Sequence, residues 1–306
     1  MRTSLLRHGA RTAVAALALT TALAGAASAD TGARHDGHGR PGPRPVEVSV
    51  DAHGIQAPRT ARAGLVAFHV TTDDPKAGQF VQAFRPRHGV SLHKLLADLA
   101  EAVNRNDPSV AARGITAVNH DAQALGGAQV THDVPETFTT PVSEGPVYLL
   151  DFGKFLEDPS HPVVRKLELR GKNGRKGRDL ADFPDGIVIT KETSNGPRFD
   201  VNGVRRAKDN ILVHNSADEL HEMELQAVPP GTTDAQLQAY FDHPSGPPPF
   251  AGMPTYGLGV ISPGRTALLQ PHHLPKGTYA LLCFVPDDEA GIPHAFEGMH
   301  KVVVLH

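Results

Sequence analysis

The residues best suited to metal chemistry in this chain gather near its C-terminal end. Cys283 is the single cysteine among 306 residues, and His294 and Met299 follow it in one stretch. Thiolate and thioether are soft donors that hold Cu(I), whereas imidazole suits Cu(II) as well. One thiolate and two imidazoles in a plane, with a weak axial thioether, therefore serve both oxidation states with little rearrangement. Three of those donors lie close together here, which is an economical way to make them converge. The second imidazole must come from an earlier element. His221 is the candidate, because it follows the polar turn 215–220 (NSADEL) and opens the apolar-rich run 222–228. Without a metal, the same residues read as a buried small hydrophobe, a loop histidine and a core methionine.

These side chains need a scaffold, and the mature chain reads as two similar halves. Each half begins with alternating apolar residues (Val46, Val48, Val50; Ile187, Ile189), the pattern of a half-buried strand. A second strand follows at 65–70 and 210–214, and a third at 79–84 (QFVQAF) and 222–228 (EMELQAV). A short helix comes next in each half. Ser91 can cap the first, with Leu92, Leu95, Leu96 and Leu99 on one face, and Thr233 with Gln236 forms a capping-box pattern for the second. Strands return at 145–152 (GPVYLLDF) and 277–284 (GTYALLCF), and the halves close with 163–169 and 301–305. Many short strands with turn residues between them predict an all-β chain of two tandem Greek-key sandwiches with short helical insertions. The segment 243–250 (HPSGPPPF) reads as an ordered insertion on the second sandwich.

The pieces of the second half, taken together, resemble the cupredoxins, and more closely secreted bacterial cupredoxin-type domains. The matching elements are the strand–turn–histidine of 215–221, Gly277-Thr278-Tyr279 leading to Cys283, then His294 and Gly298-Met299 before a closing strand. The resemblance covers residues 187–306. It implies a Greek-key sandwich holding one copper ion, with His221, Cys283, His294 and Met299 as ligands. It also implies that Phe284, Pro286, Pro293 and Phe296 shield the metal and stiffen the loop. Ten residues between Cys283 and His294 make this loop longer than in small cupredoxins. The first half, 46–170, resembles a degenerate copy without copper ligands. It has Asp151-Phe152 around the position of Cys283, and Lys76, Ala77 and Gln79 near that of His221. Its own histidines show no spacing that groups three of them.

Composition and missing motifs narrow the function further. Thirty Lys and Arg against 33 Asp and Glu, for a formal charge of −3, give no reason to expect nucleic acid or acidic lipid as a partner. One cysteine excludes an internal disulfide, thiolate-only zinc sites and iron–sulfur clusters. Residues 1–29 combine Arg2, Arg7 and Arg11, an apolar run over 13–23, and Ala27-Ser28-Ala29. That order is a secretory signal cleaved after Ala29, too short in its apolar part for a membrane span. Residues 30–45 form a flexible lead, and 171–186, with the basic run that starts at Arg170, a solvated linker. The expected protein is secreted and not inserted in a membrane, and it meets a redox or copper-handling protein partner. No His-x-His pair occurs in the mature chain, and Cys283 is flanked by Leu282 and Phe284, so multicopper-oxidase wiring is missing. Neither Gly-x-Ser-x-Gly nor a phosphate-binding loop is present. The chain is expected to carry no bond-making chemistry of its own. The rival expectation is a metal-free structural or interaction module at the cell surface, which would take up no copper.

Overall fold

The computed structural model describes residues 45–75, 78–171 and 183–306. The signal and almost all of the lead, Lys76 and Ala77, and most of the linker fall outside the described residues.

The first half contains β1 (Val46–Asp51), β2 (Gly54–Gln56), β3 (Thr60–Arg62), β4 (Gly64–Thr71), β5 (Gln79–Pro86), α1 (Leu92–Ala102), α2 (Pro108–Asp121), β6 (Ala122–Val130), β7 (Glu136–Val142), β8 (Gly145–Asp151), α3 (Phe152–Glu157) and β9 (Val164–Arg170). The second contains β10 (Gly186–Thr193), β11 (Gly196–Asn202), β12 (Ile211–Asn215), β13 (His221–Val228), α4 (Asp234–Asp242), β14 (Thr255–Ile261), β15 (Thr266–Pro271), β16 (Gly277–Leu282) and β17 (His300–Leu305). Helix starts follow local chemistry. Ser91 Oγ accepts from the Lys94 amide, Asp107 caps α2 ahead of Pro108, and Thr233 with Gln236 forms the full capping box of α4.

The strands form two mixed sheets, and both run without interruption through the two halves. One has the order β2-β1-β4-β7-β15-β12-β10-β11, the other β3-β9-β8-β5-β6-β14-β13-β16-β17. From the central pairs β7–β15 and β6–β14, each sheet reads outward in matching order on both sides, except that β3 at the edge of the nine-stranded sheet has no counterpart. Both halves pair their first strand in parallel, β1 with β4 and β10 with β12. The inner faces bury a shared core that includes Leu125, Leu225 and Leu258 and the stacked rings of Phe68 and Phe138, 4.8 Å apart. A β-sandwich of two joined halves is what the alternating pattern dictates once its apolar faces must be covered.

The seam is closely fitted. Gln82 of β5 donates to Gly126 and Val260 carbonyls, each at 3.0 Å, and accepts from the Val260 amide at 2.8 Å, bracing β14 across β6. Gly259 sits where a Cβ would come within 2.6 Å of Gln82 Oε1 and 3.0 Å of Gly127 Cα, so only glycine permits this approach. On the same seam, Glu136 is fully buried and accepts from the Gly257 amide at 3.0 Å. Burial holds its carboxyl well above the usual range, against the pull of the Gly257 and Gln129 amides.

That burial has a measurable consequence. The folded chain binds a proton at Glu136 that the unfolded chain releases above pH 4.5, so folding stability contributed by this group falls as pH rises. Glu136→Gln removes the effect. Thermal melts from pH 5 to 8 will show the variant gaining on the parent by up to about 1 kcal/mol per pH unit. A difference that stays flat with pH would mean Glu136 titrates as an ordinary carboxylate.

Two local features depart from the sequence pattern. The run 145–152 leaves the sheet at Asp151 and turns into α3, and α2 is an additional 14-residue helix. The Asp107-Pro108 start signals α2, but its weakly amphipathic, alanine-rich body hides it. No helix among the described residues is long and apolar enough to cross a membrane.

Candidate metal centre

Three ends of strand meet around the predicted ligands. His221 opens β13, Cys283 follows β16, and His294 begins a single 3-10 turn (His294–Glu297) just before β17. Because β13 and β16 are antiparallel neighbours, the start of one lies beside the end of the other. The polar turn before His221 is anchored by Asn215, which is fully buried. Its Nδ2 donates to the Glu219 and Ile261 carbonyls, and its Oδ1 accepts from Thr190 Oγ1 and the Ala217 amide.

The long loop after Cys283 is pinched rather than slack. Pro286 and Pro293 face each other in an antiparallel bridge, and the amides of His294 and Ala295 donate to the carbonyls of Val285 and Cys283. The loop length that separates this chain from small cupredoxins is thus confined to the tip of a hairpin. Phe284 and Phe296 pack on the satellite cluster around Phe241 and Leu282. Gly298 ends the 3-10 turn at φ +96°, where any side chain would press on the Arg198 guanidinium. That guanidinium donates to the Glu297 carbonyl at 2.7 Å and holds the turn against β11.

The resulting geometry is compact. His221 Nδ1 and His294 Nδ1 are 3.1 Å apart, and Cys283 Sγ lies 3.8 Å from the first and 3.4 Å from the second. The circle through these three atoms has a radius of about 2.0 Å, close to a metal–imidazole bond and slightly under a metal–thiolate bond. All three residues are fully buried, and so is Met299, whose amide donates to the His294 carbonyl. The residues fit a type 1-like copper ion by donor type, by spacing and by seclusion from water.

Electrostatics prepare the donors. Burial lowers the His221 pKa, keeping its imidazole neutral, although Glu192 pulls it back up. Burial, and then the negative charge of Glu222, push the Cys283 thiol well above its usual value, while the amides of Glu222 and Val285 oppose them. His294 Nε2 stands 2.9 Å from Glu219 Oε2. Nε2 of His221 lies 3.5 Å from Glu192 Oε1 without forming a geometric hydrogen bond. Glu219, Asp287 and His294 also place ligand atoms within 4.8 Å of one another, so Asp287 belongs to the margin of the site.

Glu219 and Glu192 are the contributors that residue spacing does not reveal. Glu219, two positions before His221, is a charge beside a candidate ligand, which is a weak local hint. Glu192 arrives from β10 and leaves none.

In the first half the matching place has another use. Register sets Gln82 opposite Leu150 as it sets Glu224 opposite Leu282, which places Gln79 where His221 stands and Asp151 where Cys283 stands. Asp151 is fully buried and caps α3, its Oδ1 accepting from the Lys154 amide at 3.0 Å. No group of three His, Cys, Asp or Glu donors gathers there among the described residues.

Two packed β-sheets with a buried Cys–His–His triangle at one end are the class of architecture and site that the chain presents. No family model and no curated protein matches the chain. Among solved structures it is similar to reduced auracyanin from Roseiflexus castenholzii at 16% identity and a TM-score of 0.24, over 39% of this chain and 94% of that one. Reduced rusticyanin is 18% identical at a TM-score of 0.24, over 39% of this chain and 76% of its own. The copper nitrite reductase of Nitrosomonas europaea, 12% identical with a TM-score of 0.22, spans 86% of this chain and 94% of its own. At such scores these likenesses carry no argument about the site, which rests on its own atoms.

Proposed function

We propose that this chain is a secreted copper protein with one type 1-like site, used for electron transfer or copper handling and not for bond-making chemistry. The carrying observation is the crowding of His221 Nδ1, His294 Nδ1 and Cys283 Sγ into one buried triangle. The two imidazole nitrogens stand 3.1 Å apart, a contact that one ring proton satisfies in the free chain and that a cation drawn between both lone pairs and the thiolate would replace. A bound copper ion supplies a one-electron couple.

The chain's own groups do the rest. Glu219 accepts the His294 Nε2 proton, which leaves the Nδ1 lone pair aimed into the triangle. Cys283 gives up its thiol proton when a cation enters, so uptake releases protons. Met299, fully buried, would offer a thioether as a further soft donor. The clustered rings of Phe241, Phe284 and Phe296 pack beside the hairpin and help exclude water. Export rests on residues 1–29, and the partner is a redox or copper-handling protein.

Titration of the purified chain with Cu(II) under argon tests this reading. One equivalent will bind with a thiolate-to-copper band in the visible. Glu219→Gln will weaken binding about 10- to 100-fold while retaining the band. A chain that takes up no copper is instead the metal-free module, and either that result or colourless uptake overturns the proposal.

A further inference from the structure

The outer face of the nine-stranded sheet bears a cavity of about 740 Å³ that the metal centre does not use. α1 and α2 wall it on one side, and α4 with the hairpin after Cys283 on the other. Its lining is mostly aromatic and aliphatic, with Phe84, Leu99, Phe152, Tyr240 and Phe284 among its walls, and the guanidinium in that lining, of Arg105, is exposed. Into this surface project two acids, Glu222 and Glu224, two positions apart on β13 and therefore on one face.

Neither acid is matched by a cation. No Lys, Arg or His pairs with Glu222 or Glu224 among the described residues. Each spends one oxygen: Glu222 Oε1 accepts from the Phe284 amide and Glu224 Oε1 from Gln129 Nε2, both at 2.9 Å. The other oxygen of each carries no protein hydrogen bond. Glu222 is 5% exposed. Carboxyls in apolar surroundings without a counter-charge are costly, and a scaffold role would not require them. The first half shows the alternative. Gln82 stands in the slot matching Glu224 and fills it with a neutral amide bonded to backbone groups, where Glu224 bonds only the Gln129 side chain.

The volume matches sites that enclose small organic molecules, which combine apolar walls with a few convergent polar groups. Aromatic faces attract cations, and while burial raises the Glu224 carboxyl pKa to about 7, a cationic nitrogen set against it would favour its ionised form. We propose that this cavity binds a small organic cation, with its ring or alkyl body among the aromatic walls and a protonated nitrogen on Glu224. The assignment does not depend on copper.

Calorimetry with the full, metal-free chain and 1-naphthylmethylamine tests it, with 1-naphthalenemethanol as the neutral probe of like shape. The absence of tryptophan also lets naphthyl fluorescence be followed without indole background. The amine will bind 1:1 and saturably, and the alcohol roughly 30-fold more weakly or worse. Glu224→Gln will bring the amine down to the alcohol's affinity and leave the alcohol unchanged. Leu99→Phe, which narrows the cavity, will weaken both. No saturable amine binding, equal affinity for the two probes, or an amine affinity that ignores Glu224→Gln would each overturn the proposal.

Discussion

Cys283→Ser abolishes the visible band and tight copper uptake while leaving the chain folded. Serine is nearly isosteric with cysteine, and its small hydroxyl fits the space where Sγ lies 3.4 and 3.8 Å from the imidazole nitrogens. What it cannot supply is the soft, polarisable thiolate that favours Cu(I) and gives the charge-transfer absorption. The remaining donors, two imidazoles and a buried thioether, are a poorer set for both oxidation states. Copper content after dialysis and the visible spectrum are the readouts, with far-UV circular dichroism to show an intact fold. A variant that keeps its colour would mean that the thiolate is not the donor. A zinc-loaded parent gives no such band, because its filled d shell cannot accept the charge.

Phe138→Ala lowers the stability of the whole molecule, not of one half. Phe138 lies fully buried on β7, stacked on Phe68, and β7 pairs directly with β15 of the other half. Removing a buried phenylalanine costs about 3–5 kcal/mol through lost transfer energy and the cavity it leaves. Two sheets shared by both halves couple their unfolding, so calorimetry should show one transition in the parent. In the variant that transition shifts down by on the order of 10 °C and stays single. The thiolate–copper band, though it belongs to the opposite half, should vanish with it at the same temperature. Two separated transitions, with only the first moved, would show that the halves unfold independently.

Much of the site was legible because its parts are local. Cys283, His294 and Met299 stand in order along one stretch, and the polar turn before His221 marks a strand start at a sheet end. Alternation likewise exposed most strands, since a period of two is dictated by covering one face. The seam was not legible. Alternation says which face a strand buries but not which strand lies beside it, so nothing in β6 or β7 announces β14 or β15 as a neighbour. Glu219 and Glu192 escaped for the same reason, because their contacts exist only after distant segments meet. The excess loop after Cys283 could be counted but not shaped. Its folding depends on Pro286 and Pro293 pairing across the hairpin.

The seam also decides what each half could be if it stood alone. Parting the sheets between β6 and β14, and between β7 and β15, would bare four strands of six to nine residues whose side chains are mostly buried. Such long, apolar edges with unpaired amides invite strand addition and aggregation. On the first half, by contrast, the outer margins are closed by β2 and β3, which are three residues each. The first half therefore covers, with β6 and β7, the two sheet edges at β14 and β15 that the second half would expose if it stood alone.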